Sequence, residues 1–153
     1  MTSSKRGWLW VLALVAQPAW AGLGEPQSSI ATDRARISAR HAVARMAQYT
    51  VHDLTMADGS RLQQYVAGNG QVFAVRWDTL HKPDLAGLLG RAFASYAGAA
   101  QVAARRGGIQ RQFRHEAPDL VVQASGHLHV FSGYAYRPSL LPQGLSPQAL
   151  GLG

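Results

Sequence analysis

From Tyr49 onwards apolar residues recur at about every second position, and two turn signals, "ADGS" at 57–60 and "GNG" at 68–70, separate the alternating stretches. Alternation of this kind, cut by Gly- and Asp-rich turns, is the pattern of consecutive antiparallel strands. "YTVHDLTM" (49–56), "SRLQQYVA" (60–67) and "QVFAVRWD" (71–78) therefore read as three strands. In the third, Phe73, Val75 and Trp77 are expected on one face, with Val72 and Ala74 on the other. In the first, the phase slips between Val51 and Leu54, which predicts a bulge near His52-Asp53. Three more strands are read at "IQRQFRH" (109–115), "DLVVQAS" (119–125) and "HLHVFSGYAY" (127–136).

Between the two groups of strands the period changes. In "HKPDLAGLLGRAFASYAGAAQVAAR" (81–105), Leu85, Leu88, Leu89, Ala92, Phe93, Tyr96, Ala99, Ala100 and Ala103 follow the i, i+3, i+4, i+7 spacing of one helix face. Pro83 suits the first turn of such a helix. Gly87, Gly90 and Gly98 each weaken it by about 1 kcal/mol relative to Ala, so burial must hold it in place. "ATDRARISARHAVARMAQ" (31–48) reads as a second helix capped by Thr32 or Asp33. On it Arg34 and Arg45 fall on one side and Arg36 and Arg40 almost opposite, which excludes a membrane-binding amphipathic face. The expected fold is α+β: a mostly antiparallel sheet of five to six strands covered by one long helix, with a candidate short N-terminal helix. The expected division is a polar, flexible lead-in and candidate helix at 22–48, one domain at 49–138, and a Pro- and Gly-rich tail at 139–153.

The opening residues, "MTSSKRGWLWVLALVAQPAWAGLG", place Lys5 and Arg6 before an apolar run from Trp8 to Ala16 and a small-x-small end at Ala19-Trp20-Ala21. This is the pattern of a secretory signal peptide at 1–21, cleaved after Ala21. Its apolar run is shorter than the ~20 residues of a spanning helix. The expectation is a periplasmic or secreted protein with no transmembrane segment after cleavage. Such a compartment favours disulfides in small domains, yet the sequence has no Cys, so the core alone must stabilise the fold. Thiol nucleophiles and thiolate metal sites are excluded as well. Loss of Lys5 and Arg6 lowers the net charge from +7, leaving 13 basic residues against 8 acidic ones. A basic exported protein points to anionic envelope partners rather than to nucleic acid.

Catalytic motifs are missing: there is no G-x-S-x-G, no P-loop, no G-x-G-x-x-G and no H-E-x-x-H. The His-x-His of "SGHLHVFSGYAY" (125–136) is the most suggestive local pattern. A two-residue loop at Ser125-Gly126 would put His127 and His129 on the face of Leu120 and Val122. A three-residue loop, Ser125-Gly126-His127, would pair Ala124 with Leu128 and Val122 with Val130, and it separates apolar from polar better. On that register His127 sits in the turn and His129 points away from Leu128 and Val130. A zinc site needs three or four ligands near 2 Å. His41, His52, His81 and His115 lie in other segments without paired ligand spacing. Asp53, Asp58, Asp78, Asp84 and Asp119 fall at turns, strand ends, a helix start or the expected bulge, where Asp sits for conformational reasons. Asp78 and Asp84 flank the "TLHKP" connection, where a cleft is conceivable. Trp77, Tyr134 and Tyr136 read as core aromatics. His127, His129 and Tyr134 are the candidate ligand-binding residues; no catalytic residue, metal or cofactor is assigned.

The run "DGSRLQQYVAGNGQVFAVRWD", then "PDLAGLLGRAFASY", then "LVVQASGHLHVFSGYAYRPSLLPQG", resembles the domain of unknown function 2844 family of small exported bacterial proteins. The likeness runs from about Tyr49 to Gly144. It implies export and a single domain, and it brings no activity, cofactor or catalytic residue; its pattern includes Gly126-His127 but no second His at position 129. The "ADGS" and "GNGQV" pieces also resemble peptidase-propeptide modules, which implies a binding or inhibitory role by fold analogy. The resulting expectation is a non-enzymatic envelope module that binds another protein or an anionic envelope component. The alternative is a metal-dependent or Ser/His hydrolase using His127 and His129.

Overall fold

In the computed structural model, which describes residues 22–107 and 111–152, seven strands form one antiparallel sheet. They are β1 (Arg40–Arg45), β2 (Tyr49–Thr55), β3 (Arg61–Ala67), β4 (Val72–Thr79), β5 (Gln112–Ala117), β6 (Leu120–His127) and β7 (Val130–Tyr136), in the spatial order β1-β2-β3-β4-β7-β6-β5. The helices are α1 (Ser29–Ile37), α2 (Leu85–Leu89) and α3 (Phe93–Arg105). This corrects the expected α+β domain of five to six strands under one long helix: the molecule is mostly sheet, with seven strands. The export-type segment at 1–21 lies outside the described residues, as do Ile109 and Gln110 of the strand expected from 109.

The seventh strand is β1, in a stretch read as helix. α1 starts at Ser29, whose hydroxyl donates to the Pro26 carbonyl (2.6 Å), so neither Thr32 nor Asp33 caps it. It stops at Ser38, which takes the left-handed conformation (φ 50°, ψ 40°) while Ala39 N–H closes onto the Arg34 carbonyl. Beyond Ser38 the chain extends, and Arg40 to Arg45 pair with Thr55 to Thr50. All but His41 of this edge strand are exposed, so no apolar alternation betrays it in the sequence.

The helical segment after Pro83 is likewise not continuous. Gly90 adopts φ 52°, ψ −127° between α2 and a single 3₁₀ turn at Gly90–Ala92, and α3 begins at Phe93. The cause lies far away in sequence. The Gly22 backbone crosses here so closely that a Cβ on Gly22 would sit 2.5 Å from Gly90 N and 2.8 Å from the Gly87 carbonyl. The segment read as a flexible lead-in is thus part of the fold. Leu23, 1% exposed, donates to the Leu88 carbonyl, while Gly24 N–H to Val72 O and Val72 N–H to Glu25 O tie the chain to the start of β4.

No bulge interrupts β2, whose pairing with β1 and β3 is continuous. The irregularity lies one strand further on, where Tyr65 pairs with Ala74 but Val66 pairs with Val72. Phe73 is the extra residue, and it therefore joins Ala74 on one face while Val72, Val75 and Trp77 take the other. The first face buries Phe73, Tyr65, Val51 and Tyr134 under Leu140, Leu141, Leu145, Leu150 and Leu152 of the C-terminal segment. The second packs Leu54, Leu62, Val75, Trp77, Leu120 and Val122 against Ile30, Leu88, Leu89 and Ala92. The C-terminal segment is therefore a cover for half of one sheet face.

The β6–β7 hairpin takes neither register weighed above. His127 pairs with Val130, Ser125 with Ser132 and Gln123 with Tyr134, so the loop is Leu128-His129. Leu128 has φ 55°, the positive first position of a type II′ turn. Apolar patterning misleads here because Leu128 and Val130 are not in the core: they are 81% and 51% exposed.

Candidate binding face

Beyond the edge of the C-terminal cover, the same sheet face is polar. Successive registers align one residue from each strand into a row. Asp53 (β2) pairs with Gln63 (β3), Gln63 with Arg76 (β4), Arg76 with Tyr134 (β7), Tyr134 with Gln123 (β6), and Gln123 with Arg114 (β5). A second row runs Thr55, Arg61, Asp78, Ser132, Ser125, Gln112 across the same strands. Residues opposite one another in antiparallel strands share a face, and neighbouring strands lie about 4.8 Å apart. The result is a grid of amides, hydroxyls and charges across six of the seven strands.

Internal bonds fix much of this grid. Asp53 accepts from Arg61 Nε (2.9 and 3.0 Å) and Gln63 Nε2 (3.1 Å), and Arg61 Nη2 closes the ion pair. Burial pushes the Asp53 carboxyl up, but the hydrogen bonds and charge of Arg61, helped by Gln63, outweigh it, and its pKa is lowered on balance. At the other end Gln123 Oε1 accepts from Tyr134 Oη (3.0 Å) and Arg114 Nη1 (3.3 Å), and Arg114 is paired with Glu116. Between these anchors stand Arg76 and Asp78, both exposed and in no ion pair among the described residues. They separate two shallow depressions. One, of about 230 Å³, is lined by Arg61, Gln63, Arg76 and Asp78. The other, of about 250 Å³, is lined by Gln112, Gln123, Ser125, Ser132 and Tyr134, with Gly151 of the C-terminal cover at its margin.

Of the residues singled out from sequence, Tyr134 lies within the first row, its side chain buried and its hydroxyl on Gln123. His127 lies on the same face, four positions along β6 from Gln123 and so about 13 Å away. His129 is in the turn. His115 faces the opposite side of the sheet, where its Nε2 meets Ser95 Oγ of α3 at 3.4 Å. The three histidines therefore do not converge, and no hydrogen bond joins Ser125, His127 and His129 among the described residues. No group of three His, Cys, Asp or Glu among those residues could hold a metal ion. Gln63, Arg76 and Gln123 were not anticipated. Their signal was the polar half of the period-two alternation, but only the register brings them into one row.

Sequence reasoning also missed a polar cluster on the helix side. His41 Nε2 and His52 Nδ1 are 2.9 Å apart with stacked rings, and His52 is buried. Burial, and secondarily the charge of His41, lowers the His52 pKa. Nearby in the sheet, Gln64 donates to buried Asp33 (3.0 Å), which is also bound by Arg36 (3.3 Å). Burial is the leading influence on Asp33 and raises its pKa despite those two partners. Arg36 reaches on to Asp84 (2.6 Å), which caps α2 through Gly87 N–H.

Among the described residues no helix is long and apolar enough to cross a membrane. No curated protein and no solved structure matches the chain. A family model matches residues 19–150, and the chain accordingly belongs to that family, described as protein of unknown function DUF2844.

Proposed function

We propose that the protein is exported by a signal cleaved after Ala21 and serves, in the periplasm or outside the cell, as a non-enzymatic binding module for an anionic envelope component held on the polar sheet face. The observation that carries this reading is the pair of polar rows that register across six strands beside the C-terminal segment, with only Tyr134 of the first row buried beneath it. A sheet face that is not part of a core needs polar side chains, but not a register-matched set of hydrogen-bonding groups around two depressions. The sign of the partner follows from the charge pairing. Glu25, Asp33, Asp53, Asp58, Asp84 and Glu116 are all engaged by cationic or His side chains. Asp78 and Asp119 are in no ion pair among the described residues, but neither are Arg34, Arg40, Arg45, Arg76, Arg105, Arg106 and Arg111, so the unspent charge is positive on balance.

The test is binding of the purified protein to lipopolysaccharide and to an acidic polysaccharide, each across a salt series. Arg76→Ala combined with Gln123→Ala should weaken binding about a hundredfold, the scale of losing one charged and one neutral hydrogen bond. Arg105→Ala with Arg106→Ala, remote from the rows, should change it far less. Equal losses in the two double variants would reduce the interaction to net charge and end the assignment to this face. Turnover of any substrate, abolished by a single substitution, would end the non-enzymatic reading.

A further inference from the structure

On the opposite side of the sheet from the polar rows, a pocket of about 150 Å³ opens where the end of α1, the β2–β3 turn and the connection from β4 to α2 meet. This is the "TLHKP" connection between Asp78 and Asp84. Ile37, Met56, Leu62, Pro83 and Leu88 supply its apolar walls. A void of that volume is about what a benzene ring occupies, and an apolar void of that size is a poor place for water, which needs polar partners.

The polar groups at its rim are held in place by one another. Asp58 accepts from Ser60 N–H (2.8 Å) and Ser60 Oγ (3.0 Å), and it faces His81 Nε2 at 3.8 Å. Leu80 N–H donates to Ser60 Oγ (3.0 Å), and Thr79 Oγ1 donates to the His81 carbonyl (2.7 Å). Asp84 is bound by Arg36 and by Gly87 N–H. Both rim carboxylates are thus occupied by donors of the protein itself. Lys82 is the exception: it lines the pocket, is exposed, and forms no ion pair or hydrogen bond among the described residues. An apolar well with fixed walls and one free ammonium at its lip matches a ligand that is apolar at one end and anionic at the other.

We propose that this pocket binds a small monocarboxylate with a ring-sized apolar body, the ring among Ile37, Met56, Leu62 and Leu88 and the carboxylate at Lys82. This site is independent of the polar face: it lies on the other side of the sheet and shares no residue with it.

The probes are phenylacetate and, as a neutral counterpart, benzyl alcohol, titrated into the protein with methyl chemical shifts as readout. Phenylacetate should saturate with a millimolar Kd and shift the methyls of Ile37, Met56, Leu62 and Leu88. Lys82→Met, an exposed position that leaves the fold intact, should weaken phenylacetate about fivefold, the worth of one exposed ion pair, and leave benzyl alcohol unchanged. Ile37→Phe, which fills the well, should abolish binding of both. The proposal is overturned if neither probe moves those methyls at high millimolar concentration. It is equally overturned if Lys82→Met affects both probes alike, or if a folded Ile37→Phe variant binds as before.

Discussion

Replacing Gly133 with Ala should cost about 3 kcal/mol, although the change adds one methyl group in the middle of a strand. Gly133 pairs directly with Trp77 across β4 and β7 and with Ala124 of β6. The Trp77 indole, 1% exposed, lies across the space a side chain would take. A Cβ on Gly133 would sit 2.8 Å from Trp77 Cε2 and closer still to Cζ2 and to the Gln123 carbonyl oxygen. Overpacking costs about 1–3 kcal/mol where neighbours can yield. Here one neighbour is ladder backbone and the other is a fully buried ring, so the upper end applies. With a urea slope of about 2 kcal/mol/M, the unfolding midpoint should fall by about 1.5 M. Trp77 is also the sole tryptophan after residue 21, so its fluorescence in the protein beginning at Gly22 reports the perturbed site itself. Emission should shift to the red in folded Gly133→Ala. Trp77→Leu in the same background should show favourable coupling of about 1 kcal/mol, as contacting residues do. A midpoint within 0.3 M of the parent with unshifted emission would refute the packing argument, since it would mean that Trp77 does not rest on Gly133.

Three further outcomes can be measured on the same protein. Leu152→Ala, which removes a side chain only 1% exposed from beneath the sheet, should destabilise by about 2–4 kcal/mol; a loss under about 0.5 kcal/mol would mean the C-terminal segment is not part of the cooperative unit. Leu128→Gly should stabilise by about 0.5–1 kcal/mol, because Gly takes the positive φ of the first position of a type II′ turn without the Cβ penalty that Leu carries there; a destabilised variant would show that the exposed Leu128 makes contacts of its own. Stability should fall as pH drops below 6.5. His52 has a lowered pKa in the fold, so the unfolded chain takes up its proton first, and the contribution present above 6.5 is lost as pH falls through the folded value. Urea midpoints at pH 8 and pH 5 should therefore converge in His52→Gln; an unchanged pH dependence would assign the effect elsewhere.

Six of the seven strands were legible because apolar residues recur along them between turn signals, although β4 is buried on both faces and β5 offers only Phe113 and Ala117. β1 was not, because an edge strand with Ala at positions 42 and 44 and exposed ends carries no such pattern, and its arginines and alanines suit a helix equally well. Two other misreadings share a cause: each depends on a residue remote in sequence. The helix breaks at Gly90 because Gly22 crosses it, and Phe73 changes face because Val66 pairs with Val72. The apolar residues of the C-terminal segment were hidden in a Pro- and Gly-rich composition that reads as a tail. For the candidate binding face the chemistry was visible and the geometry was not. Tyr134 was picked out from the sequence, whereas Arg76 and Gln123 gain meaning only as its neighbours across the ladder. Gly133 did carry a local signal, since a glycine inside a strand marks close approach of another group.

Leu23 and Leu152 lie near opposite ends of the described chain, and each is sealed into a core on its own side of the sheet. A chain built this way cannot complete either hydrophobic layer from a partial length. An N-terminal fragment lacks the lid over Phe73 and Tyr65, and a C-terminal one lacks the plug beside Leu88 and Leu89. Such a chain stays incomplete until both ends are free to dock, so neither layer closes before the whole length is present.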